Sequence, residues 1–274
     1  MYPELLDAYY AMGIRYIATR SIGYDHIDLA YAHKLGMRIT NVTYSPDSVS
    51  NYTIMLILMA IRKLPFIMRK AALQDFSLKG KCGLELKDCT VGIIGTGKIG
   101  RRVIEHLSGF GCRILAYDIC ENEDCRRYAE YTDLETIYRE ADIISLHVPG
   151  LPENLHMIDE DAIAKMKDGV VLVNAARGML IDSKAMIAGL ESGKIGFAAL
   201  DTIENEAGLC YLNRELDILE PHHHDRAVLS AFPNVIVSPH MAFYTNHAVQ
   251  DMVENAVRGL VACHEGGENP FEVK

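Results

Sequence analysis

Arg177, Glu206 and His240 are the side chains in this sequence whose types together match what reduction of a 2-oxo acid requires. A guanidinium fork holds a carboxylate through two parallel hydrogen bonds and polarises the neighbouring carbonyl, which the point charge of a lysine does not copy. A histidine gives a proton to the carbonyl oxygen as hydride reaches the carbon. A carboxylate beside that histidine favours the charged ring. Singly, each has a structural alternative: a surface turn for Arg177, a solvated acidic group for Glu206, a hydrogen-bonded histidine after a strand for His240. Their joint placement favours a site.

The elements that must position them begin at Thr90. Apolar runs at Thr90–Ile94, Arg113–Tyr117, Ile143–Leu146, Val170–Val173, Phe197–Leu200 and Val235–Val237 alternate with helical stretches such as Asp133–Glu140, Asp159–Met166 and Ser183–Ser192. That alternation predicts an α/β fold with a doubly wound parallel sheet covered on both faces. Ligands of such sheets bind outside the carboxyl ends of the strands, so the residues after each strand are the informative ones. They are a glycine turn, Asp118, His147-Val148-Pro149 with Asn154 beyond, Asn174-Ala175-Ala176-Arg177, Asp201 followed by Glu204 and Glu206, and Ser238-Pro239-His240. Every strand delivers a polar or glycine element to one edge.

The glycine turn is Gly95, Gly97 and Gly100 in Gly-x-Gly-x-x-Gly spacing, between a strand and the amphipathic stretch Arg101–Phe110. Gly95 allows the turn, Gly97 lets backbone approach a pyrophosphate, and Gly100 lets the helix pack closely on the strand. The helix N-terminus then presents N–H groups and a positive dipole end to phosphates. Asp118 lies eighteen positions past the last glycine (118 minus 100), where an acid accepts from ribose hydroxyls and repels a 2′-phosphate. With no arginine directly after it, NAD is favoured over NADP.

Composition narrows the partners. In 274 residues, 27 Lys and Arg face 37 Asp and Glu, and a net charge of −10 argues against nucleic acid or an anionic membrane. The longest apolar run, Tyr52–Ile61, is too short to span a bilayer, and no secretory signal is visible. Seven cysteines without metal-ligand spacing read as reduced thiols of a cytoplasmic protein. His222–His224 could suggest a metal, but consecutive histidines do not face one ion from a regular element, and Pro221 and Asp225 suggest a solvated or interface loop. Hydride chemistry needs no metal.

Before Thr90, Leu5–Met12 and Asp28–Leu35 read as helices, and Arg15–Ala18 and Met37–Val42 as strands. Ser45 and Pro46 open a longer helix running toward Met68, apolar nearly all round and suited either to a subunit interface or to a core.

As a set, the glycine turn, Leu-His-Val-Pro at 146–149, Asn-Ala-Ala-Arg-Gly at 174–178, Leu-Asp-Thr at 200–202 followed by Glu206, and Ser-Pro-His-Met-Ala-Phe-Tyr at 238–244 resemble the D-isomer-specific 2-hydroxyacid dehydrogenases. Arg20–Gly23, Tyr44–Pro46 and Pro239–Thr245 look most like the D-lactate dehydrogenases of that family, including those of vancomycin-resistance clusters. The resemblance covers essentially the whole chain. It implies a Rossmann NAD domain at 44–244 and a smaller flavodoxin-like substrate domain at 1–43 and 245–274. Family members carry a further strand and helix segment ahead of this chain's first residue, so the resemblance implies an incomplete substrate domain with an exposed sheet edge and a more open cleft. It implies that Arg177 binds substrate and that Glu206 pairs with His240 as proton donor. Lys98, Ile99, Asp118, Val148, Pro149, Asn154, Ala175, Ala176 and Asp201 would line the NAD site, with Asp201 near the carboxamide. Ile22, Gly23, Tyr44 and Phe243 would be substrate-side residues. The implied activity interconverts a small 2-oxo acid, pyruvate first, and its D-2-hydroxy acid in a homodimer. A branched or aromatic 2-oxo acid is the alternative. A non-catalytic NADH-sensing interaction protein is another, since some relatives are corepressors.

Overall fold

The structure is a computed structural model that describes residues 1–213 and 223–273. In chain order the first elements are α1 (Pro3–Ala11), β1 (Tyr16–Ala18), α2 (Leu29–Lys34), β2 (Arg38–Thr40), α3 (Asp47–Ile61) and α4 (Leu64–Ala72). Then come β3 (Thr90–Ile94), α5 (Lys98–Ser108), β4 (Arg113–Tyr117), β5 (Glu130–Tyr131), α6 (Leu134–Glu140), β6 (Ile143–Leu146) and α7 (Glu160–Lys165). The last are β7 (Val170–Asn174), α8 (Ser183–Ser192), β8 (Ile195–Leu200), α9 (His224–Ala231), β9 (Val235–Val237), α10 (Asn246–His264) and β10 (Glu272–Val273). Two compact units divide the chain, Met1–Ser48 with Tyr244–Lys274, and Val49–Phe243.

In the larger unit seven parallel strands form one sheet in the order β5-β4-β3-β6-β7-β8-β9. Alternate residues feed two separate cores because side chains alternate across a strand. Val91, Ile93, Ile143, Val171 and Val173 pack with Ile57, Val103, Ile104 and Leu107 on one face. Ile94, Ile144 and Leu172 pack with Ile137, Met186 and Leu229 on the other. A strand buried on both faces is apolar at every position, which is why these runs stand out in the sequence. Strand order reverses between β3 and β6, and the crevice of a doubly wound sheet opens at that switch point.

The smaller unit holds β1, β2 and β10 in that order, β2 parallel to β1 and antiparallel to β10. Arg38 ties the last pair together with two hydrogen bonds to Glu272, at 2.7 and 2.6 Å. Asp28 caps α2 through the Tyr31 N–H, and Thr245 caps α10 through the Ala248 N–H.

Three expectations change. The helix opened by Ser45 does not continue to Met68: Lys63 adopts φ 51, and α4 starts afresh at a 61° bend. Pro65 explains the break: it has no N–H for the Ile61 carbonyl, its ring would clash with that carbonyl in a continuous helix, and it sits readily in a first turn. Second, the histidine run is not a solvated loop in its described part. His223 is 5% exposed and His224 opens α9, with Asp225 in the favourable first turn; His222 lies outside the described residues. Third, two strands of two residues each, β5 and β10, stand at sheet edges where no apolar run predicts one. Among the described residues no single helix is long and apolar enough to cross a membrane; α3 and α4 together reach that length and hydropathy only as the bent pair, and most of α3 is core.

Candidate active site

The site is assembled from the carboxyl ends of the larger unit's strands, and direct contacts link one end to the next. After β3, Gly95 adopts φ +101, and a Cβ there would meet the His147 carbonyl carbon at 2.6 Å and the Val148 nitrogen at 2.8 Å. The loops after β3 and β6 therefore touch. A methyl group on Gly100 would overlap the Gly95 carbonyl oxygen, so the start of α5 lies against the turn. Gly97 faces open space, with nothing within 4 Å of its would-be Cβ. Gly97 is the N-cap of α5 and no side chain caps it, which leaves first-turn N–H groups of Lys98 and Ile99 for an anion.

Asp118 closes the other side of this turn. Its Oδ2 accepts from the Thr96 N–H at 2.6 Å and the Thr96 hydroxyl at 3.2 Å, and its Oδ1 accepts from the Cys120 N–H at 3.1 Å. A carboxylate has about four acceptor positions, so capacity remains for a ribose hydroxyl. Asp118→Ala is expected to raise the KM for NADH roughly tenfold or more, since hydrogen bonds to charged groups contribute about 1.5–3 kcal/mol, and to narrow the preference over NADPH. Steady-state kinetics with both cofactors checks this.

Farther along the edge, buried Asn174 organises the loop that carries Arg177. Its side chain accepts from the Ala176 N–H at 3.0 Å and donates to the Arg177 carbonyl at 2.8 Å, while its own carbonyl accepts from the Asp201 N–H at 2.8 Å. The Arg177 stem packs against Gly150, where a Cβ would meet its Cγ at 3.0 Å, and its Nη1 donates to the Ala176 carbonyl at 2.8 Å. Gly178 lies so close to the Ile203 carbonyl that any side chain would overlap it. Thus Val148 and Pro149, Ala175 to Arg177, and the segment from Asp201 to Glu206 are contiguous. Asn154, whose amide donates to the Pro149 carbonyl at 2.9 Å, holds the first of these loops.

His240 sits at φ 57, in the left-handed region that few L residues adopt, histidine, asparagine and aspartate more often than others. Asp201 holds it there. The His240 N–H donates to the Asp201 carbonyl at 2.9 Å. The Asp201 carboxylate accepts from the Ser238 hydroxyl at 2.6 Å and from the Met241 and Ala242 N–H groups at 2.8 Å each. Sequence reasoning missed this clamp. Asp201 is 1% exposed, so its carboxylate is mainly engaged with its own chain. The His240 Nδ1–H donates to Glu206 Oε1 at 2.7 Å, and Glu206 Oε2 accepts from the Ile203 N–H at 3.2 Å. Nε2 takes part in no hydrogen bond among the described residues. The Phe243 ring stands edge-on to the imidazole, centroids 6.3 Å apart. Tyr211, which nothing in the sequence marked, donates its hydroxyl to the His240 carbonyl at 3.1 Å.

Ile22, Gly23 and Tyr44 belong to the smaller unit. They lie on the loops leaving the carboxyl ends of the parallel strands β1 and β2, where the Asn41 amide donates to the Ile22 carbonyl at 2.9 Å and the Ser21 hydroxyl to the Gly23 carbonyl at 2.6 Å.

Two further histidines are shifted in opposite directions. Burial pushes His147 down to about 4, so its ring is neutral near pH 7, within 2.9 Å of the Ser145 hydroxyl. His156 is pushed up by its 2.5 Å hydrogen bond to Glu204. Glu204 Oε2 also accepts from the Ser183 N–H, and the His156 N–H donates to the Met179 carbonyl, so this pair staples the Arg177 and Glu206 loops. A histidine whose folded value is raised adds stability fully present below its unfolded value near 6.5 and lost as pH rises through the folded one. The melting temperature should fall above pH 6.5 partly for this reason, and His156→Gln should flatten that part of the profile. An unchanged profile in the variant contradicts the staple.

Comparison with known proteins agrees with this architecture. Residues 54–242 match the NAD-binding domain of D-isomer-specific 2-hydroxyacid dehydrogenases. An aromatic 2-oxoacid reductase of Clostridium sporogenes is 48% identical over 94% of this chain and 78% of its own length. A D-lactate dehydrogenase of Lactobacillus delbrueckii subsp. bulgaricus is 41% identical over 99% of this chain and 81% of its own. The crystal structure of a D-lactate dehydrogenase from Treponema pallidum superposes with a TM-score of 0.90 at 33% identity, covering 100% of this chain and 83% of that one. The chain belongs to the D-isomer-specific 2-hydroxyacid dehydrogenases. It is an NAD-dependent oxidoreductase on the Rossmann fold. The residues present fit NAD: an open face at Gly97, an uncapped helix start, and an acid across the turn.

Proposed function

We propose that the chain reduces pyruvate to D-lactate, with Arg177 holding the carboxylate and His240 giving the proton. The observation carrying this reading is the Nδ1–H to Glu206 hydrogen bond of 2.7 Å, which fixes the ring and leaves Nε2 for substrate. Bound NADH supplies the hydride. Arg177 binds the 2-oxo acid through its planar fork and draws electron density from the carbonyl. His240 Nε2 donates to the carbonyl oxygen as charge develops there, and Glu206 stabilises the protonated ring before transfer. Asp201 keeps the His240 segment in its left-handed conformation, near the place of the carboxamide. Gly95, Gly97, Lys98, Ile99, Gly100, Val148, Pro149, Asn154, Ala175 and Ala176 form the wall against which the dinucleotide lies. Phe243 is the larger unit's substrate-side residue; Ile22, Gly23 and Tyr44 are those of the smaller unit, which serves as the substrate domain.

An aromatic 2-oxo acid is a second reading, favoured by the name of the relative that is 48% identical. Initial rates of NADH oxidation with pyruvate, 4-methyl-2-oxopentanoate and phenylpyruvate decide between them. The highest kcat/KM for pyruvate supports the first reading, and a higher value for phenylpyruvate replaces it. Turnover of none contradicts both. We also propose a cytoplasmic homodimer. Seven free thiols suit a reducing compartment, and the exposed Leu64, Met68, Leu73, Phe76 and Leu78 supply apolar surface for a partner copy. Light scattering reporting a monomer contradicts the dimer.

A further inference from the structure

Cys210 has no part in the proposed hydride chemistry, yet its Sγ, a Glu206 carboxylate oxygen and an imidazole nitrogen of His240 all lie within 4.8 Å of one another. We propose that Glu206, Cys210 and His240 form a binding site for a thiophilic divalent cation, zinc(II) above all, and that its occupancy switches the enzyme off.

The donor set is the first argument. One thiolate, one imidazole and one carboxylate are the ligands zinc(II) takes, whereas magnesium and calcium select oxygen alone. Zinc bonds of about 2.0–2.3 Å put neighbouring ligand atoms of a tetrahedron roughly 3.3–3.8 Å apart. Glu206 and His240 are closer than that and Cys210 is within 4.8 Å, so small side-chain rotations seat the ion. A water completes the tetrahedron. Pre-organisation is the second argument. Glu206 and Cys210 lie four residues apart on one turn, whose Leu209 N–H donates to the Glu206 carbonyl at 3.1 Å. Tyr211, the next residue, is hydrogen-bonded to the His240 carbonyl, so the segment carrying the thiol is pinned beside the ring. All three ligands are half-buried, which limits competition from bulk water. A cation displaces the thiol proton on binding.

Binding releases the Sγ and Nδ1 protons to solvent and replaces the Glu206–His240 hydrogen bond with two bonds to the metal. With Nδ1 coordinated, the ring keeps only its Nε2 proton, and giving that up would leave an imidazolate rather than a neutral ring, so it is a far weaker proton donor than an imidazolium. This inhibition rests on His240 as the proton donor; the binding does not.

The test measures the two separately. Zinc affinity is measured by competition with a chromophoric chelator, and cobalt(II) substitution is followed in the near ultraviolet for a thiolate charge-transfer band. The intact protein and its Cys210→Ser and Cys210→Ala variants are compared, each with NADH oxidation recorded in chelator and in saturating zinc. The expected result is a cobalt band and tight zinc binding in the parent only. Zinc affinity should fall in both variants by at least the roughly tenfold that loss of an outer-shell partner costs. Zinc should lower parent turnover about 10²-fold, the low end of a general acid's contribution. Both variants should turn over in chelator and resist zinc. Equal zinc affinity in parent and variants, or no cobalt band, overturns the site. A Cys210-dependent cobalt band with undiminished turnover overturns the switch and counts against His240 as the donor, while leaving the site.

Discussion

His240→Asn is expected to lose NADH-driven 2-oxo acid reduction by roughly 10²–10⁴-fold, the span a positioned general acid contributes, while NADH affinity stays close to the parent's. Asparagine is the informative choice because the backbone at this position has φ 57, a conformation asparagine accepts more readily than most residues. Its amide also donates a hydrogen bond to Glu206 in place of Nδ1, so the local fold persists. What it lacks is a proton to give at the far end of the ring. NADH fluorescence titration and steady-state rates on the same preparation separate the two effects. A variant that binds NADH and turns over normally removes His240 from the chemistry.

Arg177→Lys is expected to lower kcat/KM for the 2-oxo acid roughly a hundredfold, mostly through KM, because hydrogen bonds to a charged group contribute about 1.5–3 kcal/mol and lysine cannot form the bidentate pair. The stem that packs on Gly150 is kept by lysine, and the turn is held by Asn174 through backbone groups. Melting temperature and NADH affinity should therefore change little. Unchanged kcat/KM excludes Arg177 as the carboxylate anchor.

Why some of this is legible in the sequence and some is not has a physical pattern. α8 is readable to the residue because Asp182 accepts from the Lys184 and Ala185 N–H groups at its start and Gly193 takes φ 78 at its end. The strands of the large sheet are readable because burial on both faces requires apolar residues at every step. β5, with Glu130 exposed, and β10, whose partner β2 lies more than two hundred residues earlier, carry no such run. The break at Lys63 was signalled by Pro65 but masked by an apolar pattern continuing past it.

Within the site, Arg177, Glu206 and His240 are legible because their side-chain types define a reaction, and the pairing of Glu206 with His240 is found directly. The groups that hold them are not. Apart from the Ser238 hydroxyl, Asn174 and Asp201 act through backbone N–H and carbonyl partners that any residue supplies, so little in their neighbours' identities announces the clamp. Tyr211 and Cys210 reach His240 from a segment thirty residues away by a turn with no periodicity. Likewise the His156–Glu204 pair joins positions 48 residues apart.

In the proposed complex Arg177 grips the substrate carboxylate while His240 Nε2 meets its carbonyl oxygen over the cofactor. A crystal structure of the protein with NADH and oxamate, an unreactive analogue of pyruvate, tests it most directly. The expected complex has both guanidinium nitrogens on the oxamate carboxylate and Nε2 within hydrogen-bond reach of its amide carbonyl oxygen, with Nδ1 still on Glu206. Oxamate bound with its carboxylate on another cation, or with His240 turned away from the carbonyl, contradicts it.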